Sequence, residues 1–288
     1  MGLLMLTKFN FRVYAFLVLC IFAYVELASA QGIGQLESGM QKSDAEASVV
    51  REAQTLAWLG AYGTFRLSEK WYWHGELHYR RNETNKYLFL GEMAQIYNRH
   101  GIKYIPTKNF SATAGGVLRL DFNPNANEAD KGFIVEPRIW HEYIWTMPFE
   151  RFRIYHRLRF EHRWKRKFTK GSEYQFGNRW RYKFLMKIPL NKPKLEPGAF
   201  YFSPDVELIM QTGSTITDNP VEDLRIFPTF AYIANPRTTY SAGLMYTTGQ
   251  TSDAGFIYRE RWILRFNVYF NLDFRKFDDK IPETSFYD

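Results

Sequence analysis

Two sets of side chains in this 288-residue chain have types and spacing that could do chemistry. The first is His74, Glu76, His78 and Arg80, each two residues from the next. In an extended strand, residues two apart share a face and lie roughly 6.6 Å from each other. Two imidazoles bracketing a carboxylate can ligate a metal or relay a proton. The same set can be the hydrogen-bonded wall of a polar interior. No third ligand or nucleophile is marked beside it, so the wall is the favoured reading and neither a metal nor another cofactor is assigned.

The second set is a ladder of charge: Arg151, Arg153, Arg157, Arg159, Glu161 and Arg163 on one face, with Arg179 and Arg181 on the segment that follows. Lining open water, these residues would attract small anions into a pore. Paired with Glu76, Glu136, Glu142, Glu161, Asp205 and Glu207, they would close it. An arginine cannot shed its charge, and leaving one unpaired in a narrow interior is costly. Enough carboxylates are present to favour a substantially filled lumen.

A third set bears on acyl chemistry. His156 and His162 fall on the opposite, outward face, and Ser172 and Ser241 are available serines. Nothing in the spacing fixes either serine beside a histidine, and there is no Gly-x-Ser-x-Gly elbow. Thiol chemistry is set aside because Cys20, the one cysteine, lies in the leader region.

These faces exist only if the chain runs as strands. From Arg151 to Trp164, Phe152, Ile154, His156, Leu158, Phe160, His162 and Trp164 alternate with the charged ladder. A helix would mix the two sets around its circumference, whereas a strand separates them. The pattern recurs in Trp180, Tyr182, Phe184, Met186 and Ile188 against Arg179, Arg181, Lys183 and Lys187, and again from Arg261 to Phe274. The same criteria predict strands over 54–67, 70–82, 86–104, 110–122, 132–147, 151–167, 173–188, 198–210, 223–234, 238–248 and 256–274. Short turns at Ser68-Glu69, Pro106 to Asn109, Pro148-Phe149 and Asn235-Pro236 interleave with longer loops at Asn123 to Lys131, Gln211 to Glu222 and Gly249 to Ala254.

Composition gives the faces their direction. The chain holds 25 Phe, 19 Tyr and 8 Trp, yet its mean hydropathy is −0.39. Turned inward, that many rings from some eleven strands would overfill a small soluble barrel such as a lipocalin. Turned outward, they meet lipid around a polar lumen. The net charge of +8 is spread along the strands, so no nucleic-acid partner is expected.

The N-terminus reads as an export signal. Lys8 and Arg12 precede the uncharged run Val13 to Val25, and Ala28-Ser29-Ala30 offers a cleavage site after Ala30. The run is short for a spanning helix, which needs about 20 residues, so an uncleaved anchor is the lesser alternative. Leu19 before Cys20 does not suit a lipoprotein signal. Residues 31–53 lack alternation and are expected to form a periplasmic tail, with a short helix near Ala45 to Ala53.

Several segments also resemble a known family. They are Trp58 with Ser68-Glu69-Lys70-Trp71, Glu76-Leu77-His78-Tyr79-Arg80, Glu136-Pro137-Arg138-Ile139-Trp140, Arg157 to Arg163, and Asn178-Arg179-Trp180-Arg181-Tyr182. Over residues 56 to 272 the chain resembles the bacterial outer-membrane β-barrels classed as domain of unknown function 2490. The resemblance implies a barrel in a Gram-negative outer membrane and carries no catalytic residue. Such barrels usually end on an aromatic residue. Here either Phe274 ends the final strand before a tail, or a further strand lies in Ile281 to Tyr287.

The resulting expectation is an all-β, antiparallel up-and-down transmembrane β-barrel over 54–288, preceded by the signal peptide 1–30 and the tail 31–53. Eleven strands can be counted. Because such barrels have even strand numbers, twelve are expected, with ten as the alternative. The expected role is non-enzymatic: a porin-like narrow channel with an arginine-rich lumen, or a structural envelope protein. The alternative is an enzyme acting on envelope lipid. Outer-membrane lipid and a small anionic solute are the partners considered; the sequence leaves oligomeric state open.

Overall fold

Period-two alternation becomes eleven strands and no helix across the residues described by this computed structural model, which are 53–213, 220–250 and 258–275. The strands are β1 (Gln54–Arg66), β2 (Trp71–Asn82), β3 (Glu92–Thr107), β4 (Phe110–Phe122), β5 (Phe133–Pro148) and β6 (Arg153–Lys165). They continue with β7 (Gln175–Pro189), β8 (Phe200–Thr212), β9 (Val221–Asn235), β10 (Thr238–Gln250) and β11 (Tyr258–Asp273). The expected signal peptide, most of the 31–53 tail and the segment Ile281 to Tyr287 lie outside the described residues.

Strand ends follow the sequence reading closely, with one clear departure. The strand expected from 86 begins at Glu92, because residues 83–91 form a loop instead. Thr84 and Tyr87 exchange backbone hydrogen bonds there, and Phe89 adopts a φ of 60°. The apolar run Leu88-Phe89-Leu90 lacks alternation, and a left-handed residue cannot continue a pleated strand.

Each strand pairs with its chain neighbours, and β11 then pairs with β1 to close the barrel. The even count and wholly antiparallel order expected from sequence give way at this seam. Eleven strands put β1 and β11 in the same direction, and they pair in parallel from Gln54↔Arg261 to Arg66↔Asp273. Phe274 just follows the last strand, its amide donating to the Arg66 carbonyl at 2.9 Å and its ring stacking on Phe65.

The meander also sorts its connections. One rim carries the turns 67–70, 108–109, 149–152 and 236–237, together with the longer connection 190–199. The other carries 83–91, 123–132 and 166–174, and β8 and β10 also end there. Two loops of this second rim are tied together: Asp130 and Thr169 form a β-bridge, and the Lys131 amide donates to the Phe168 carbonyl at 2.9 Å.

The usual distribution of polarity is reversed. Leu77, Ile139, Trp180 and Phe230 are 53%, 56%, 53% and 61% exposed on the outer face. Glu142, Glu161, Arg163 and Lys103 are fully buried inside. The apolar clusters among buried residues are small, such as Tyr97, Val117 and Trp140. Trp140 reaches inward because β3 and β4 carry glycine at their closest approach. A Cβ on Gly115 would lie 1.9 Å from the His100 carbonyl oxygen, and one on Gly101 would meet Trp140 at 3.0 Å.

Candidate functional site

The lumen is built by register. Antiparallel pairing sets Glu76 opposite Arg99, Arg119 opposite Glu136, Glu142 opposite Arg159 and Glu161 opposite Arg179. Lys183 then faces Glu207, which faces Arg225 on its other side. Directly opposed unlike charges stabilise a sheet pair. Here they also point to the same side, so ladders from eight consecutive strands merge in the interior.

Glu161 of β6 is the hub. Arg99 donates to its Oε1 at 2.8 Å and Arg138 to its Oε2 at 2.7 Å, while Arg181 and Arg179 reach the same oxygens at 3.1 and 3.4 Å. From there the network runs outward along three branches. Arg138 and Arg119 hold Glu136, and Arg119 also holds Asp121. Arg179 and Arg163 share Glu222. Arg181 and Arg157 share Glu207, which Arg225 also approaches.

Glu76 is a second hub. The His74 and His78 Nε2–H groups donate to its two oxygens at 3.0 and 3.2 Å, an ionised carboxylate being acceptor only. Arg99 adds a bond of 2.7 Å and Arg159 one of 3.2 Å. Each oxygen therefore accepts from one imidazole and one guanidinium. The trio read from sequence forms a wall within the ion-pair network.

Like charges fall opposite one another at Arg159↔Arg181 and Arg138↔Arg163. Each of these arginines has a carboxylate partner, which makes this tolerable, and aromatic rings lie against several guanidinium groups of the network. Trp140 is approached by Arg99 and Arg159, 5.1 and 4.9 Å from its centroid. Tyr97 is approached by Arg80, Arg119 and Arg138, and Trp58 by Arg80, Arg225 and Arg265. Each contact contributes about 0.5–2 kcal/mol depending on desolvation. The inward aromatics were not foreseen, because the sequence reading sent the rings outward as a class.

Most of the charge ladder reaches the interior. Arg157, Arg159, Glu161, Arg163 and Arg179 are buried, and Arg181 joins them half-buried. Arg153 is half-buried at the short-turn rim. Arg151 is the correction: it is exposed in the β5–β6 turn, because Phe149 bonds back to Phe152 and the strand starts only at Arg153. His74, Glu76 and His78 are buried together, with Arg80 half-buried beyond them. Glu222 was expected at the end of a loop, yet it lies in β9 and holds two arginines. Arg99 and Arg119 were also missed, although both lie on the inward phase of their strands.

The residues considered for acyl chemistry are dispersed. His156 Nδ1 lies 2.8 Å from the Tyr182 hydroxyl and His162 Nδ1 lies 2.6 Å from Asn178 Oδ1, both on the outer face. Ser172 donates to the Lys167 carbonyl in a loop, and Ser241 accepts from Asn267 inside the barrel. The structure brings neither serine to either histidine.

Fold and interior together define a class of protein: a closed β-barrel whose core is an ion-pair network and whose exterior is apolar. The chain belongs to the family described as Protein of unknown function (DUF2490), which matches over residues 55–257. No curated protein and no solved structure matches the chain.

Proposed function

We propose that this chain is an integral β-barrel of a Gram-negative outer membrane, exported by a leader cleaved after Ala30, with a structural and non-enzymatic role. The observation that carries the reading is the reversed distribution of polarity. Rings and aliphatic chains half exposed around the circumference would each cost half of the roughly 1.5–3 kcal/mol that hydrating a full side chain costs, and lipid removes that cost. A lumen spanned by ion pairs from β2 to β9 supports a plugged barrel rather than an open pore.

Fractionation of cells producing the full chain tests location, with the protein expected in the outer membrane and resistant to carbonate extraction. Recovery in the soluble periplasm would overturn the reading. Planar-bilayer recording tests the plug, with no steady conductance expected. A stable ohmic pore would instead return the lumen to the anion-channel reading.

A further inference from the structure

We propose that the lumen binds a small inorganic oxyanion between Arg80 and Arg265. The proposal rests on the interior alone and not on what surrounds the barrel. The ion-pair network occupies the side formed by β2 to β9. Between it and the wall formed by β1, β10 and β11 lies a cavity of about 70 Å³, lined both by network residues such as Glu76, Arg159 and Glu207 and by Trp58, Tyr62 and Arg265. One water needs about 10–15 Å³ on the same measure, so this space holds a body several times larger.

Arg80 and Arg265 both line that cavity, and neither forms an ion pair with a described carboxylate. Arg80 donates to Gln95 at 3.0 Å and lies over the Trp58 ring at 3.7 Å. Arg265 donates to the Tyr62 hydroxyl at 2.9 Å and to Asn267 at 3.4 Å. The nearby carboxylates are already engaged, Glu207 by Arg157 and Arg181 and Asp205 by Lys183. Arg80 and Arg265 thus face the cavity with neutral hydrogen-bond partners only, while the carboxylates that also line it, Glu76 included, are held by other cations. Across β2 to β9 the buried arginines of the network each have a carboxylate partner, and an isolated buried charge is strongly unfavourable.

The buried groups left without a partner here point to the same chemistry. Arg80 Nε, Arg265 Nε and Trp58 Nε1 are all N–H donors lacking an acceptor, and Trp58 is only 6% exposed. What these donors lack is an acceptor carrying charge not already claimed by the network, which water supplies poorly and an oxyanion supplies. Guanidinium forks match paired oxygens better than a spherical halide, which makes phosphate or sulfate the fitting class.

The test is to refold the full-length protein into detergent in millimolar phosphate or in chloride of equal ionic strength, then compare thermal unfolding. Because binding to the folded state alone stabilises it, the unfolding midpoint should rise in phosphate. That rise should disappear in the Arg80→Gln/Arg265→Gln double variant, while each single change weakens phosphate binding at least about tenfold. An equal response in wild type and double variant, or none in wild type, overturns the proposal. If the variant does not refold, anomalous diffraction from wild-type protein refolded in selenate decides. A peak between the two guanidinium groups supports the site, and its absence removes it.

Discussion

Glu161 and Arg138 meet at 2.7 Å inside the barrel with both side chains wholly shielded from solvent. The pair does not stand alone, since Glu161 also answers Arg99, Arg179 and Arg181. Breaking a buried pair is expensive because it strands the surviving charge, at about 3–5 kcal/mol. Glu161→Gln should therefore destabilise the barrel by at least that amount, as read from urea unfolding in detergent micelles. In a double-mutant cycle, pairing it with Arg138→Met should restore part of the loss, because one stranded cation is then removed. A loss below about 1 kcal/mol for the single change would mean water, and not Glu161, solvates these arginines.

Trp140 and Trp180 offer a comparison that reports which face is the core. Trp140 is fully buried against Arg99 and Arg159, whereas Trp180 is 53% exposed on the outer wall. In detergent, Trp140→Ala should cost about 3–5 kcal/mol, the range for emptying a large buried site. Trp180→Ala should cost far less, because micelle chains replace the lost ring contacts. Equal penalties in parallel unfolding titrations would contradict the inside-out arrangement.

Strand existence and facing were legible because period two leaves no other reading for a stretch such as Arg153 to Trp164. The interior was legible by phase at Glu76, Arg157 and Glu161. What alternation cannot carry is which distant strands meet. Arg99 and Glu161 are 62 residues apart and pair only because the barrel is narrow enough for side chains to cross it. Glu222 was hidden for another reason. It stands two residues after Pro220, where turn residues outweigh a single inward carboxylate in any local reading. Trp58, Tyr97 and Trp140 turn inward at buried positions of their strands and lie against guanidinium groups, which a reading of composition that sends rings outward as a class does not separate out.

Strand direction also fixes where the chain enters and leaves. Ala53 adjoins the rim that carries the longer loops, and Arg275 adjoins the rim of short turns. With short turns facing the periplasm, single-cysteine variants Ala53→Cys and Glu128→Cys should react with an impermeant maleimide on intact cells. Glu69→Cys should react only after lysis. In the proposed membrane orientation, reaction of Ala53→Cys on intact cells would put the start of β1 at the outer rim, and the expected periplasmic tail would then have to reach it from there. Labelling of Ala53→Cys only after lysis would require another strand ahead of β1 or the opposite orientation.

The seam itself decides between eleven strands and twelve. Leu59 of β1 and Phe266 of β11 are register partners and both face outward. Neighbouring strands lie about 4.8 Å apart, so their Cα atoms fall within the ~7 Å limit for a disulfide. An intervening twelfth strand would double that separation to roughly 9.6 Å and forbid the bond. The Leu59→Cys/Phe266→Cys variant should therefore oxidise to an intramolecular disulfide, visible as a mobility shift on unheated and heated gels that reductant reverses. A displaced pair, Leu59→Cys with Phe270→Cys, should stay reduced, because parallel register separates it by four residues along the strand. Cross-linking of the displaced pair, or failure of the in-register pair in a folded barrel, would show that β1 and β11 do not close as neighbours in this register.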